Sequence, residues 1–247
     1  MIKDFEYILK KILPEKYLLE KRLKRAIKKK YEKELDLIEK FSDKSKDALD
    51  IGVYRGVYSY KLAQYFNCVH SFEPNPLLFP YLNKNLKKII NNIELYNFAL
   101  SNSNGETNLK LPIRSQSIFN TNIEELYQLG AASIHPKNNF NKFKEVSVKK
   151  KKLDELKICN KIGFIKIDVE GHEIEVIDGA KKTILENRPV LLVEIEERHT
   201  QSPVKKSVDY IEKFGYDCFF VKDQKLISFK NMSDTKSINN YFFIPKN

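Results

Sequence analysis

Apolar positions along this chain switch between two periods. From Leu19 through Leu23, Ile27, Tyr31, Leu35 and Ile38 they recur every three or four residues, which predicts one amphipathic helix over residues 16–41. A shorter helix over 1–13 is predicted ahead of it, stopped by Pro14. From residue 47 short apolar runs alternate with helical stretches: strands at 47–51, 69–73 and 93–99, helices at 57–66 and 77–89. That rhythm predicts parallel strands joined by right-handed crossovers, an α/β sheet with helices on both faces. Asn104-Gly105 predicts a hairpin turn between strands 99–103 and 106–111. Residues 112–144 show no period, the mark of a long insertion that borders a substrate pocket. Val146 and Val148 alternate as in a strand. Strand 162–168, helix 173–186, a buried strand 190–193 ending at Glu194, helix 203–213 stopped by Gly215, and strands 216–221 and 240–244 complete the chain. No internal repeat is present.

Chemistry concentrates where strands end. In an open α/β sheet, ligands sit outside the carboxyl ends of the strands, near the point where strand order reverses. The first strand closes on Asp50 and runs into Gly52 and Gly56, a turn whose glycines allow positive φ and close ligand approach, followed by a helix N-terminus. Its G-x-x-x-G spacing is neither the dinucleotide fingerprint nor a Walker A loop. The second strand ends in Glu73-Pro74, about 20 residues on, where a carboxylate takes the two hydroxyls of a ribose. The third ends near Phe98-Ala99 and Ser101, a candidate adenine wall. The fourth ends in Asp168-Val169-Glu170-Gly171-His172-Glu173. His172 is the best candidate general base, since its pKa lies near the working range and it stands beside a helix N-terminus. The helix dipole pushes that pKa down and the neighbouring carboxylates push it up, so the sign stays open here. Asp168 would position cofactor or acceptor, with Glu170 and Glu194 completing a polar wall. The same oxygen and imidazole set suits Mg²⁺ or Mn²⁺, but the spacing is no recognised metal signature, and no metal is predicted. His199 follows the fifth strand and could reach the same crevice, although a surface-loop histidine is the commoner outcome. His70, inside a strand, and His135, in the insertion, are not favoured as site residues.

Composition narrows the partners. The net charge is +11, yet only six of the 44 basic residues are Arg, the preferred reader of phosphates and bases. Nucleic acid is therefore not expected. The basic run around Lys21-Arg22 and Lys28-Lys29-Lys30 reads as a solvated helix face. Three cysteines, Cys68, Cys159 and Cys218, without metal spacing point to a reducing compartment. No apolar run approaches ~20 residues, so no membrane span is expected and the cytoplasm is the predicted location.

The segments 50–63 (DIGVYRGVYSYKLA), Phe72-Glu73-Pro74, 97–102 (NFALSN), 165–180 (IKIDVEGHEIEVIDGA), 189–197 (PVLLVEIEE) and 239–245 (NNYFFIP) occur together and in order. In this the chain resembles the FkbM family of S-adenosylmethionine-dependent methyltransferases. The family usually reads Ala-Asn after the first glycine, where Val53-Tyr54 stand here. The resemblance implies a class I, Rossmann-like methyltransferase fold: a seven-stranded, mostly parallel sheet over residues 47–247, behind an N-terminal helical extension, 1–46. It implies S-adenosyl-L-methionine as cofactor and a hydroxyl acceptor, on a small molecule or a glycan. With the residue pattern, it assigns cofactor binding to Asp50, Gly52, Tyr54, Gly56, Tyr58, Glu73, Pro74, Phe98, Ala99 and Asp168, and catalysis to His172, Asp168 and Glu170. Two alternatives stay open. An RNA methyltransferase would show an N-P-P-Y type motif for base amino groups, which is absent. A scaffold that keeps the fold without activity draws its support from Val53-Tyr54.

Overall fold

In the computed structural model, residues 14–29, 32–113, 127–136, 140–158, 160–232 and 238–246 are described. Four short apolar strands form the buried centre: β1 (Asp47–Ile51), β2 (Val69–Phe72), β3 (Ile93–Tyr96) and, much later in the chain, β7 (Ile162–Ile167). β1 pairs in parallel with β2 on one side and β7 on the other. β8 (Val190–Glu194) continues in parallel beyond β7. β11 (Asn240–Pro245) inserts antiparallel between β8 and β9 (Tyr216–Lys222), and β10 (Lys225–Ser228) closes the edge. The order is β10-β9-β11-β8-β7-β1-β2-β3, eight strands where seven are predicted. The extra strand is the return arm of a hairpin whose turn residues, Asp223 and Gln224, both have positive φ (49° and 60°). That is the backbone of a primed two-residue turn made without glycine, so the usual sequence signal is missing. Strand order reverses between β1 and β7, and their carboxyl ends flank one crevice.

Side-chain alternation assigns the two faces. Leu49, Ile51, Ile165 and Ile167 pack with Val176, Ile177, Ile184 and Val208 on one face. Ala48 and Phe164 pack with Leu35, Ile38, Leu62 and Phe66 on the other. Asp50 and Lys166 are register partners, so both point to this second face.

Three expectations are corrected. The helix predicted over 16–41 is two elements: an α-helix, Glu15–Lys28, and a 3₁₀ helix, Lys33–Phe41. Leu19 and Leu23 pack on Leu78, Leu82 and Leu86, whereas Leu35 and Ile38 pack under the sheet, and one straight rod cannot serve both clusters. The Asn104-Gly105 hairpin does not form. β4 (Ala99–Leu100) and β5 (Gly105–Pro112) both pair with β6 (Phe143–Lys151), giving a separate three-stranded sheet, β4-β6-β5. Gly105 has φ 136°, outside the turn region, and the Asn104 side chain accepts a hydrogen bond from Lys152 N–H at 2.9 Å. The helix predicted over 173–186 is split into Glu173–Asp178 and Lys181–Asn187. The split falls at Gly179, where a Cβ would lie 2.0 Å from the Ser101 carbonyl oxygen. The helix predicted over 1–13 lies outside the described residues. So does much of the 112–144 insertion, of which the described stretch 127–136 bridges back to Lys110 and Ile113 through Ser133 and Tyr127.

Candidate active site

The turn after β1 is shaped by what lies against it. Gly52 has φ +90°, and a Cβ there would lie 1.8 Å from the Asp168 backbone oxygen, so the chain crosses β7 at a distance only glycine permits. Gly52 N–H donates to Phe72 O at 3.0 Å, and Asp168 N–H donates to Ile51 O at 2.9 Å. The ends of β1, β2 and β7 are thereby tied together by backbone. Tyr54 follows in the left-handed region (φ 46°), and its N–H donates to Glu73 Oε2 at 3.0 Å. Asn75 N–H donates to Glu73 Oε1 at 2.9 Å. Glu73 is 6% exposed. Burial pushes its carboxyl up to about 7, against the two backbone donors, which hold it down.

A cavity with about 660 Å³ of void opens above this turn. Gly52, Tyr54, Glu73, Pro74, Phe98 and Ala99 line one side; Asp168, Glu170 and His172 line the other. Nine residues predicted for the site therefore converge. The other three stand behind it. Asp50 is 1% exposed and accepts a 2.5 Å hydrogen bond from Ser59 Oγ; burial raises its carboxyl to about 7. Gly56, φ +77°, caps the helix Val57–Leu62, and a Cβ there would press on Leu86. Tyr58 lies beneath the turn, its ring 5.0 Å from Lys166 Nζ.

The β7 and β8 ends carry a different chemistry. Lys166, missed by sequence reasoning, is 1% exposed. Its Nζ donates to Asn240 Oδ1 at 3.1 Å and lies 3.6 Å from Asp168 Oδ2. Burial favours the neutral amine, but Asp168, Glu194, Glu32 and Asp50 together overrule it and raise the pKa, keeping the ammonium charged. Burial, and then the Asp168 carboxylate beside it, raise Glu194 far above the carboxylate range, so Glu194 holds a proton against Asp168. A lysine inside an apolar run gives no local sign of this role; only the register of β7 against β1 brings it to Asp50.

His172 caps the helix Glu173–Asp178. Its Nε2 is 2.9 Å from Ser101 Oγ and its Nδ1 3.7 Å from Glu175 Oε2. Burial lowers its pKa to about 4, helped by His135 and Lys150, and favours the neutral imidazole. Glu173 is buried and accepts from Gly171 N–H at 2.9 Å and Val169 N–H at 3.3 Å, fixing the loop that presents Glu170 in the left-handed region (φ 56°). His199 is buried, not a surface-loop residue: its Nε2 is 2.7 Å from Glu170 Oε2 and 3.3 Å from Glu196 Oε2. These carboxylates raise its pKa against burial, the larger single influence. His70 lies at the opposite end of the sheet, 2.9 Å from Asp47. Glu170 turns to His199 and His172 to Ser101; among the described residues no group of His, Cys, Asp or Glu is arranged to hold a metal ion.

A second groove runs between the helix Glu15–Lys28 and the glycine turn, with about 1480 Å³ of void. It shares Gly52, Tyr54 and Asp168 with the first cavity. Asp168, its side chain 32% exposed, stands at the junction.

Residues 50–218 match the family described as the methyltransferase FkbM domain. The chain belongs to the FkbM methyltransferase family. The family is one of methyltransferases, and the site has room for a cofactor of the S-adenosylmethionine type: Gly52 leaves the backbone bare where a Cβ would collide, and the buried Glu73 carboxylate lines the cavity. The chain is similar in fold to a methyltransferase FkbM from Methylobacillus flagellatus KT, at 15% identity and a TM-score of 0.52, covering 81% of this chain and 44% of that one. It thus spans less than half of that protein's length. A putative methyltransferase from Streptococcus mutans, solved with SAH, overlays at 11% identity and a TM-score of 0.47, covering 85% of this chain and 94% of that one. An rRNA methylase from Streptococcus thermophilus overlays at 11% identity and a TM-score of 0.46, covering 85% and 90%. No curated protein matches the chain. No helix among the described residues is long and apolar enough to cross a membrane.

Proposed function

We propose that this FkbM-family chain O-methylates a hydroxyl of a sugar in a polysaccharide or glycolipid, using S-adenosyl-L-methionine. The observation that carries this reading is the position of Asp168, a carboxylate shared by the cavity above the glycine turn and the groove beside the helix Glu15–Lys28. The first cavity has the mixed apolar and polar lining of a small-cofactor site, and the groove is left for a larger acceptor. The cofactor supplies an electrophilic methyl group on a sulfonium.

The chain's own residues hold and orient. Glu73 accepts hydrogen bonds from the ribose hydroxyls, while Pro74, Phe98 and Ala99 flank the base. Asp168 accepts the hydrogen bond of the acceptor hydroxyl and takes its proton as the oxygen is alkylated, with Lys166 at 3.6 Å balancing its charge. Glu170, paired with His199, holds the loop after β7 at the wall of the cofactor cavity. His172 remains a candidate base, but its Nε2 is engaged by Ser101 at 2.9 Å and its side chain is 11% exposed, against 32% for Asp168 at the junction of the two cavities. Geometry therefore favours Asp168.

Calorimetry with S-adenosylmethionine, followed by mass spectrometry of saccharide acceptors for a gain of one methyl group, tests the reading. Micromolar cofactor binding with methylated sugar is expected. An absence of cofactor binding would leave a scaffold, and methylation of RNA alone would replace the acceptor class.

A further inference from the structure

The open groove gathers charge that composition leaves unplaced. The chain has six arginines, and three of them, Arg22, Arg25 and Arg55, line this one groove. They come from separate segments: Arg22 and Arg25 lie one turn apart on the helix Glu15–Lys28, and Arg55 stands in the glycine turn. All three are exposed. Two acids of the helix are engaged by lysines, Glu15 with Lys84 at 2.9 Å and Glu20 with Lys24 at 2.6 Å. Arg55 lies over the Tyr54 ring at 5.0 Å, and among the described residues none of the three guanidiniums has a carboxylate within ion-pair distance. The carboxylate that does line the groove beside them, Glu32, is directed at Lys166 and Tyr58.

In a chain that otherwise uses lysine, this is a selective placement. A guanidinium fork matches an oxyanion with two parallel hydrogen bonds, which an ammonium cannot do. The methionine end of the cofactor carries one carboxylate and can occupy one such fork, not three. Leu78, Leu82 and Tyr81 give the groove an apolar floor for the carbon face of a sugar ring. The three guanidiniums line one groove that ends at Asp168, while Lys21, Lys24, Lys28 and Lys29 carry the basic face of the helix on outside it, which makes RNA a competing ligand that the test includes.

We propose that the groove binds an acidic saccharide, with Arg22, Arg25 and Arg55 holding a phosphate or carboxylate of the acceptor while its hydroxyl lies at Asp168. This rests on the methyl-transfer reading for the position of the hydroxyl, but not for the binding itself.

The test uses the full chain and the Arg22→Gln/Arg25→Gln double variant, with binding measured by calorimetry without turnover. The probes are a galacturonate trimer, glucose 1-phosphate, neutral maltotriose and a short RNA. Wild type should prefer an acidic probe over maltotriose, and the galacturonate and phosphate arms show which oxyanion is taken. The double variant should weaken acidic-probe binding roughly 10- to 100-fold, the scale of hydrogen bonds between charged groups, and high salt should erase the wild-type preference. Cofactor affinity should stay within about twofold. Equal binding of acidic and neutral probes by wild type overturns the proposal. So does loss of cofactor affinity in the variant, which would assign the arginines to the cofactor carboxylate, or tighter binding of RNA than of either acidic sugar. Acidic-sugar binding lost in the variant, with no methylation of any saccharide by wild type, would keep the groove and remove the proposed reaction.

Discussion

The two sides of the crevice handle their carboxylates differently. At the ends of β1 and β2, Glu73 is held by the N–H groups of Tyr54 and Asn75, and Asp50 by Ser59. Each acid is anchored to its own local turn or neighbouring helix. At the ends of β7 and β8, Asp168 lies beside the Lys166 ammonium, which comes from its own strand and donates to Asn240 of β11, and Glu170 is paired with the His199 side chain from the segment after β8. The first side is rigid and mostly backbone-satisfied, suited to holding a ligand of fixed shape. The second is a network of charged side chains, in which burial and the Asp168 carboxylate raise Glu194. Removing one member of such a network leaves the others buried and uncompensated.

The sharpest way to break this contrast is Asp168→Asn. It keeps the shape, removes the negative partner of buried Lys166 and removes the proton acceptor. A fall in kcat of about 10²–10⁴-fold is expected, the usual contribution of a positioned base, with cofactor affinity changed far less. His172→Ala should cost less than Asp168→Asn in single-turnover rates. An equal or larger fall would move the base to His172 and make Ser101 its orienting partner.

The same contrast explains what could be read from the chain. Gly52, Glu73 and the Asp168–His172 run stand out because turns and strand ends are local, and their order along an α/β rhythm fixes which crevice they share. Lys166 could not be found this way: a lone lysine in an apolar strand becomes informative only once its register partner is Asp50. His199 looks like any loop histidine until Gly171, with no side chain, lets it pack within reach of Glu170. The β4-β6-β5 sheet was illegible for another reason. Its central strand comes from residues 143–151, across the insertion, and Asn104-Gly105 supplies a strong local signal for a turn that the distant strand overrides.

Gly52→Ala tests the join between the two sides. Its φ of +90° is unfavourable for alanine, costing on the order of 1–3 kcal/mol, and the added Cβ would lie 1.8 Å from Asp168 O. The variant should show a lower Tm in thermal unfolding together with lost cofactor binding, because the β1 and β7 ends must separate. Unchanged Tm and affinity would show that the crossing is looser than these distances describe.

The smallest effect, and the most specific to the holding side, is the pH dependence of Glu73. An ionised carboxylate accepts from both ribose hydroxyls, whereas the protonated form must use one oxygen as a donor. Because burial places its pKa at about 7, cofactor binding must remove a proton at lower pH, so affinity should strengthen as pH rises from 6 to 8 and level off above. Stability of the free protein runs the other way. A folded pKa raised above the unfolded value contributes stability that is present below about pH 4.3 and lost as pH climbs through about 7. Asp50 and Glu173, also raised to about 7, share that slope, so Glu73→Gln should reduce it and not abolish it. In calorimetry across this range, Glu73→Gln should flatten the affinity profile, and Glu73→Ala should lose roughly 1.5–3 kcal/mol of binding at pH 8. A wild-type affinity that is flat from pH 6 to 8 would take Glu73 off the ribose and leave it as a clamp for Tyr54 and Asn75 alone.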